Sequence, residues 1–436
     1  MHLSTEDKSN VEIRIDIAKI AHMVAFVNQN PYRIAPQSWM VEPSTHAVLA
    51  ALSAGGVEAR FVGGSVRDAL LGAPIGDIDI ATPAPPERII ELLEKPGIKV
   101  VPTGLAHGTV TAVVPPRHFE ITTLRRDVET YGRRARVAFD ADWAADAARR
   151  DFSINAIFLD PDGTIHDPVG GLADLQARRV RFVGDPGTRI AEDVLRLLRY
   201  YRFEARFGTG NGDPGARAAC RAAAHLLPTL SGERVSQELV KLLATPDPIA
   251  VLDMMQQDGV LAVAVPEARR LGRLRQMIAI EPAVDPLLRL AALVEVDGEG
   301  ALALAARLRF SNTWRDRLHG LAPPWLLDPW GDVQAQRRAL YRLGSERYRD
   351  LAMLLAAQGG MPRSRLAELL DLASAWTLPV FPLAGRDVTV LGIPPGERVG
   401  RLLAAVREWW EEGDFAADRA RCLAYLGELT IGTPPA

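Results

Sequence analysis

Residues 76–82 read GDIDIAT. Asp77 and Asp79 stand one residue apart, interleaved with Ile78 and Ile80, in a stretch with the look of a buried strand. Side chains alternate across a strand, so the two aspartates share one face and the two isoleucines the other. The isoleucine face packs into a core. The acidic face brings two carboxylates together, and like charges at that distance repel unless a cation lies between them. Charge is seldom placed in a sheet for stability alone. The alternative to a metal site is a solvated edge strand, and the neighbouring residues decide between them.

Just upstream, residues 61–72 read FVGGSVRDALLG. The pair Gly63-Gly64 lets the backbone approach a ligand closely. The helix that follows is expected to turn free N–H groups towards the same space, a setting for phosphate. Arg67, in its first turn, can fork two phosphate oxygens. A glycine pair before a helix is usually a plain turn. Set shortly before two aspartates on one face, it completes a pattern: one element suits a triphosphate, the other Mg²⁺, which favours carboxylates plus substrate phosphates. Nucleotidyl transfer follows as the expected chemistry. Metal ions on the paired carboxylates serve the attacking hydroxyl and the leaving pyrophosphate, and the protein supplies position and charge. Glu120, in HFEITTLR, is a third candidate carboxylate on a strand that can lie beside GDIDIAT; a solvated or arginine-paired glutamate is the competing reading.

Working outward, residues from about 44 to 160 alternate short helices and strands. STHAVLAALSAGG is a helix ending at glycine, PPERIIELLE a helix entered through proline, and HGTVTAVVPPRHFEITTLR a hairpin about Pro115-Pro116. Downstream, strand signals become rare and apolar residues recur at helical spacing. The chain of 436 residues is 48% hydrophobic, enough for several cores. Cys220 and Cys422 are too few and too isolated for a disulfide framework or a thiolate metal site. No apolar run is long enough for a membrane helix, and the first residues lack the pattern of a secretory signal; a cytoplasmic location is expected. With a net charge of −3, any nucleic-acid contact rests on a local patch.

GGSVRD, GDIDIAT, FEITTLRRD, RRDFSINAI, DPVGGLADL and AEDVLRLLRYYRF occur in this order. Together they resemble the motifs of class II tRNA nucleotidyltransferases, the bacterial and eukaryotic CCA-adding enzymes, a superfamily shared with bacterial poly(A) polymerases. The resemblance covers about residues 60–245. It implies an α+β fold: a small mixed-sheet nucleotidyltransferase head, then an extended all-helical neck, body and tail. The expected division is an N-terminal extension over 1–36, possible disorder included, a head over 37–165, a neck for base recognition over 166–245, and a tRNA-binding body and tail over 246–436. By resemblance Arg150 contacts the incoming nucleotide, and Asp151 and Asn155 shape the ribose pocket. The family's mobile loop corresponds to residues 127–148, present here at full length, which favours complete CCA addition or A addition over CC-only activity.

In IAEDVLRLLRYYRF, Asp193, Arg196, Arg199 and Arg202 recur every three residues, close to one side of a single helix. A solvated charged stripe is the ordinary meaning of such spacing. Cytosine and adenine, however, both present an exocyclic amine beside a ring-nitrogen acceptor, and guanine and uracil reverse that order. Asp193 can accept from the amine and Arg196 donate to the ring nitrogen, so that G and U leave buried groups unpaired. This matches the family's amino-acid template. Arg199 and Arg202 then hold the triphosphate or tune the pocket. In RVSQELVKLL, Arg234 and Glu238 read as an i,i+4 structural pair or as support for that helix. Trp409-Trp410 reads as packing.

The expected function is template-independent addition of C, C and A to the 3′ end of tRNA from CTP and ATP, with Mg²⁺. Asp77, Asp79 and Glu120 are catalytic, Asp77 and Asp79 hold the metal, and Gly63, Gly64, Arg67, Arg150, Asp151, Asn155, Asp193, Arg196, Arg199 and Arg202 bind the nucleotide. The helical body reads tRNA shape. The rivals are a poly(A) polymerase, an A-adding tRNA nucleotidyltransferase, and a catalytically silent RNA-binding module. The slightly acidic chain, with a short PPA end, lacks the basic extensions poly(A) polymerases often carry.

Overall fold

A computed structural model describes residues 32–131, 134–139 and 141–431. Its strands are β1 (Arg60–Val62), β2 (Ile78–Thr82), β3 (Lys99–Gly104), β4 (Thr109–Val114), β5 (Arg117–Thr123), β6 (Arg125–Tyr131), β7 (Arg134–Phe139), β8 (Phe158–Leu159) and β9 (Ile165–His166). Seven of them form one mixed sheet in the order β3-β4-β5-β2-β1-β8-β9. Only the central pair, β2 with β5, is parallel, and it sets Asp79 directly opposite Glu120. The expected hairpin about Pro115-Pro116 is β4–β5.

The period of two in β2 explains its place. Ile78 and Ile80 are fully buried, as are Phe119 and Ile121 of β5. The helix Pro86–Glu94 packs on β3, β4 and β5 and buries Ile89, Leu92 and Leu93. The strand starts one residue later than the GDIDIAT pattern suggests: Asp77 precedes it and is exposed. Alternation still turns Asp77 and Asp79 away from the isoleucines.

The segment that corresponds to the family's mobile loop contains a two-stranded ribbon, β6 against β7, followed by the helix Trp143–Ala148. One further expectation is corrected. The supposed single helix over IAEDVLRLLRYYRF is two, Pro186–Glu192 and Leu195–Phe207. Asp193 lies at the break in extended conformation, φ −150 and ψ 106. Its carboxylate accepts the Leu195 N–H at 3.1 Å, the competition by which a short acidic side chain ends one helix and starts the next. Asp193 therefore does not belong to the helical stripe of the three arginines.

The helix Leu195–Phe207 is seated against the head by aromatic packing. Phe152 meets Phe182 at 4.9 Å and Phe203 at 5.0 Å, and Phe182 stacks on Tyr200 at 5.6 Å. Tyr200 and Tyr201 are fully buried. Their hydroxyls are satisfied: Tyr200 accepts the Asp213 N–H at 2.7 Å and Tyr201 donates to Asp258 at 2.9 Å, as buried phenols require.

Every named element after β9 is helical. The described residues fall into two compact units, one ending at Pro266 and the other starting at Glu267. In the second unit Trp410 is buried between Tyr341, Phe381 and Phe415, and Trp409 stacks on Tyr425 at 4.4 Å. The tryptophan pair is packing, as its sequence reading held. Of the N-terminal extension, residues 1–31 lie outside the described residues. Arg33 bridges to Thr164, and the Ile34 N–H donates to the Gly163 carbonyl at 2.9 Å.

Candidate active site

β1 runs into Gly63, which turns at φ +73 and ψ −130 into the helix Gly64–Leu70. That φ lies where residues with a Cβ are strained. Space is also close: a Cβ there would stand 3.3 Å from an Asp79 carboxylate oxygen and 3.8 Å from Arg150 Nη1. The bare Gly63 backbone thus opens a gap between one carboxylate and one guanidinium. At Gly64 a Cβ would stand 3.6 Å from Arg67 Nη2.

Asp79 is half-buried on β2, beside Glu120 of β5. Burial, the Glu120 charge and the Asp77 charge push its carboxyl up to about 6, against the pull of Arg150 and Arg67. The protein leaves this cluster short of positive charge. A divalent cation supplies what is missing, so the donor set fits one. Among the described residues no three His, Cys, Asp or Glu side chains close into a complete ligand set; an open carboxylate site sharing its cation with substrate oxygens is the arrangement Mg²⁺-type ions accept. Asp77 also lines a cavity of about 580 Å³ with Glu42, Arg117 and His118. Arg117 forks Glu42 at 2.6 and 2.8 Å.

Arg67 differs from the open phosphate fork expected of it. It is buried, bonded to Asp68 through Nε at 2.9 Å and to Asn155 Oδ1 through Nη1, and it lies 4.1 Å over the Phe207 ring. Two of its N–H groups remain beyond these bonds and the Nη2 contact with Asp68 at 2.8 Å. Arg150 sits on Asp146, with Nε at 3.1 Å and Nη2 at 2.9 Å, and its Nη1 is 3.4 Å from the Asn155 carbonyl.

Asp151 accepts the Phe152 N–H at 2.9 Å and the Asn155 side-chain amide at 3.1 Å on one oxygen, and Arg199 Nε at 2.9 Å on the other. Burial raises its pKa, but Arg199 and these bonds outweigh burial and hold it at about 2. Arg67, Asn155, Asp151 and Arg199 therefore form one hydrogen-bonded chain from the Gly63 turn to the helix Leu195–Phe207. Its far end is Glu238, which pairs with Arg202 and lies 4.0 Å from Arg199.

The remaining residues are held separately. Asp193 takes Arg234 Nη2 on both oxygens, at 3.0 and 2.8 Å. Arg196 pairs with Glu192 and donates to the Arg189 carbonyl at 3.0 Å. Of the two readings of Arg234 and Glu238, a pair with each other or support for the neighbouring helix, the contacts match the second: they reach across to Asp193 and Arg202. The helix Leu195–Phe207 lies beside their own helix, Gly232–Leu243; it offers Arg202, and the break before it offers Asp193, as better partners than an i,i+4 neighbour. Sequence reasoning passed over Glu192, Asp68 and Asp146. The i,i+4 spacing of Glu192 with Arg196 and of Asp146 with Arg150 was the available signal.

A carboxylate pair at a strand start, a third carboxylate on the parallel neighbour, a glycine gap and a facing arginine define a metal-dependent nucleotidyltransferase head. Comparison with known proteins narrows the class. Residues 59–181 match the family model described as "Poly A polymerase head domain", and residues 213–271 the one described as "Probable RNA and SrmB- binding site of polymerase A". The chain is 34% identical over 390 residues to the mitochondrial CCA tRNA nucleotidyltransferase 1 of Danio rerio, covering 85% of this chain and 87% of that one. It is 32% identical over 408 residues to the CCA-adding enzyme of Limosilactobacillus fermentum, covering 88% and 96%. The crystal structure of the Bacillus stearothermophilus CCA-adding enzyme in complex with CTP superposes with a TM-score of 0.75 at 30% identity, over 89% of this chain and 97% of that one. This chain belongs to the family of CCA-adding enzymes and is a tRNA nucleotidyltransferase. Enzymes of this family work with divalent metal ions.

Proposed function

We propose that the chain adds C, C and A in that order to the 3′ end of tRNA from CTP and ATP, releasing pyrophosphate, with Mg²⁺ as its ion. The observation that carries the reading is the meeting, over the bare Gly63 backbone, of Asp79, paired across β2–β5 with Glu120, and Arg150. We place the triphosphate there, between the site for metal and the guanidinium.

Asp77 and Asp79 would hold Mg²⁺, with Glu120 beside them; the ion supplies positive charge at the reacting oxygens. In the transfer the tRNA 3′ hydroxyl gives up its proton to water, its oxygen bonds to the α-phosphorus, the bond from that phosphorus to the bridging oxygen breaks, and pyrophosphate leaves. The Gly63 backbone lets the phosphates come close, and Arg150 answers their charge. Asp151 and Asn155 shape the ribose pocket, held by Arg199 and Arg67. Asp193 accepts from the base amine and Arg196 donates to the ring nitrogen, which admits C and A and rejects G and U. Arg234 and Glu192 now hold these two groups, and a base takes over part of that bonding. Arg202 tunes the pocket through Glu238. We assign residues 37–165 to the head, 166–245 to the neck, and 246–436 to a tRNA-binding body and tail. No described helix is long and apolar enough to cross a membrane, and a cytoplasmic site of action is part of the proposal.

An extension assay tests it. Purified protein receives Mg²⁺, single labelled nucleotides, and tRNA transcripts ending at the discriminator base, at C or at CC, with a short unstructured RNA alongside. Ordered addition of C, C and A on tRNA alone is the expected outcome. Long A tails on the unstructured RNA would assign a poly(A) polymerase, and addition of A alone would assign the partial enzyme.

A further inference from the structure

The head contains a buried carboxylate to which the transfer reaction assigns no task. Asp146 lies on the helix Trp143–Ala148 and is 1% exposed. One of its oxygens accepts Arg149 Nε at 2.8 Å and Nη2 at 2.5 Å, and also faces the Arg125 N–H at 3.4 Å. The other accepts Arg150 Nε at 3.1 Å and Nη2 at 2.9 Å. Arg125 is the first residue of β6 and so the base of the two-stranded ribbon. One carboxylate thus meets three things: the ribbon, a neighbouring arginine, and the arginine that faces the gap.

We propose that Asp146 is a positioning residue for nucleotide binding: it grips the Nε–Nη2 edge of Arg150, aims Nη1 at the space over Gly63, and ties that aim to the base of the β6–β7 ribbon. The proposal rests on the reading of the site as a nucleotide gap. Geometry carries it. Two bonds on one edge of a planar guanidinium fix its plane as well as its place. The remaining nitrogen, Nη1, is the one that stands 3.8 Å from where a Gly63 Cβ would be. Charge agrees with geometry. One buried carboxylate faces two guanidiniums, so Asp146 does not by itself neutralise both. Burial alone would raise the Asp146 pKa, and Arg150 and Arg149 outweigh it and hold the carboxyl ionised, below its ordinary value.

A purely structural Asp146 would set how much protein folds, and the folded fraction would bind nucleotide normally. A positioning Asp146 sets how well nucleotide binds. Steady-state kinetics on tRNA ending at C with CTP, and on tRNA ending at CC with ATP, separate the two. Asp146→Asn is expected to raise KM for both nucleotides about tenfold or more, with a smaller change in kcat, since a displaced charged group costs at least that much. KM for tRNA should stay put. In an Arg150→Ala background the same change should add less than about twofold, because the group Asp146 acts through is gone. Arg150→Lys keeps the charge but loses the two-bond edge; it should raise nucleotide KM as Asp146→Asn does, and it keeps the idea testable if the Asn variant does not fold. An unchanged nucleotide KM in folded Asp146→Asn or in Arg150→Lys would overturn the proposal. So would an Asp146→Asn effect equally large without Arg150. Failure of the functional reading looks different: the unmodified enzyme itself would then transfer neither C nor A.

Discussion

Asp79 shows how burial and neighbouring charge set one residue's chemistry. It stands beside Glu120 and near Asp77, and its carboxyl is pushed up to about 6. Asp79→Asn should cut C addition to tRNA on the order of 10³-fold, read as labelled cytidine on transcripts ending at the discriminator base. The same change should stabilise the metal-free protein at pH 7 by about 2 kcal/mol. The sign follows from the raised value: the folded state holds this proton more tightly than the unfolded chain, so the ionised carboxylate costs stability above pH 6 and the cost fades below about pH 4. Melting curves in chelator at the two pH values check it; equal shifts at both would reject the argument. Asp151 behaves oppositely. Its pKa of about 2 means that Arg199 and the bonds around it stabilise the fold by on the order of 2 kcal/mol above about pH 4. That contribution is lost as pH falls through 2, and the melting difference between Asp151→Asn and the unmodified protein should shrink with it.

At the scale of elements, the helices Leu195–Phe207 and Gly232–Leu243 are joined by charge. Glu238 is buried between Arg202 and Arg199. Removing one partner of such a cluster strands buried charge, so Glu238→Gln should cost about 3 kcal/mol in denaturant unfolding. A loss below ~1 kcal/mol would place the pair in solvent-like surroundings. The break at Asp193 carries a functional consequence. It sets an acceptor just ahead of the helix that bears Arg196, and in the proposed function these two groups read one base. Arg196→Ala should therefore raise misincorporation of G and U relative to C and A more than it slows pyrophosphate release. Continued exclusion of G and U in that variant would remove Arg196 from base reading.

The molecule as a whole has two compact units with separate cores, divided between Pro266 and Glu267. All the residues assigned to transfer lie in the first. Calorimetry should resolve two transitions, and CTP with Mg²⁺ should move only one of them, by about 2.7 kcal/mol at a ligand concentration of 100 Kd. A single transition shifted as one by CTP would mean that the units unfold together.

The sequence by itself determined the chemistry and much of the sheet. The two-residue period of GDIDIAT was enough to separate aspartates from isoleucines, because alternation is a local property of a strand. The hairpin at Pro115-Pro116 and the helical character after His166 were legible for the same reason. The glycine turn at Gly63 was readable as a place of close approach, though not as a gap between Asp79 and Arg150. Tertiary structure alone decided partners. Asp79 faces Glu120 because distant segments pair in parallel, and nothing local encodes that register. Arg67 is spent on Asp68 and Asn155 rather than left open. Arg234 and Glu238 reach for another helix instead of each other. A regular spacing of three suggested one helix through Asp193, yet Asp193 is extended, its carboxylate accepts the Leu195 N–H, and the run breaks there. Spacing reports what a residue can meet on its own element; a charged side chain takes the best partner in space, and that choice exists only once the elements are packed.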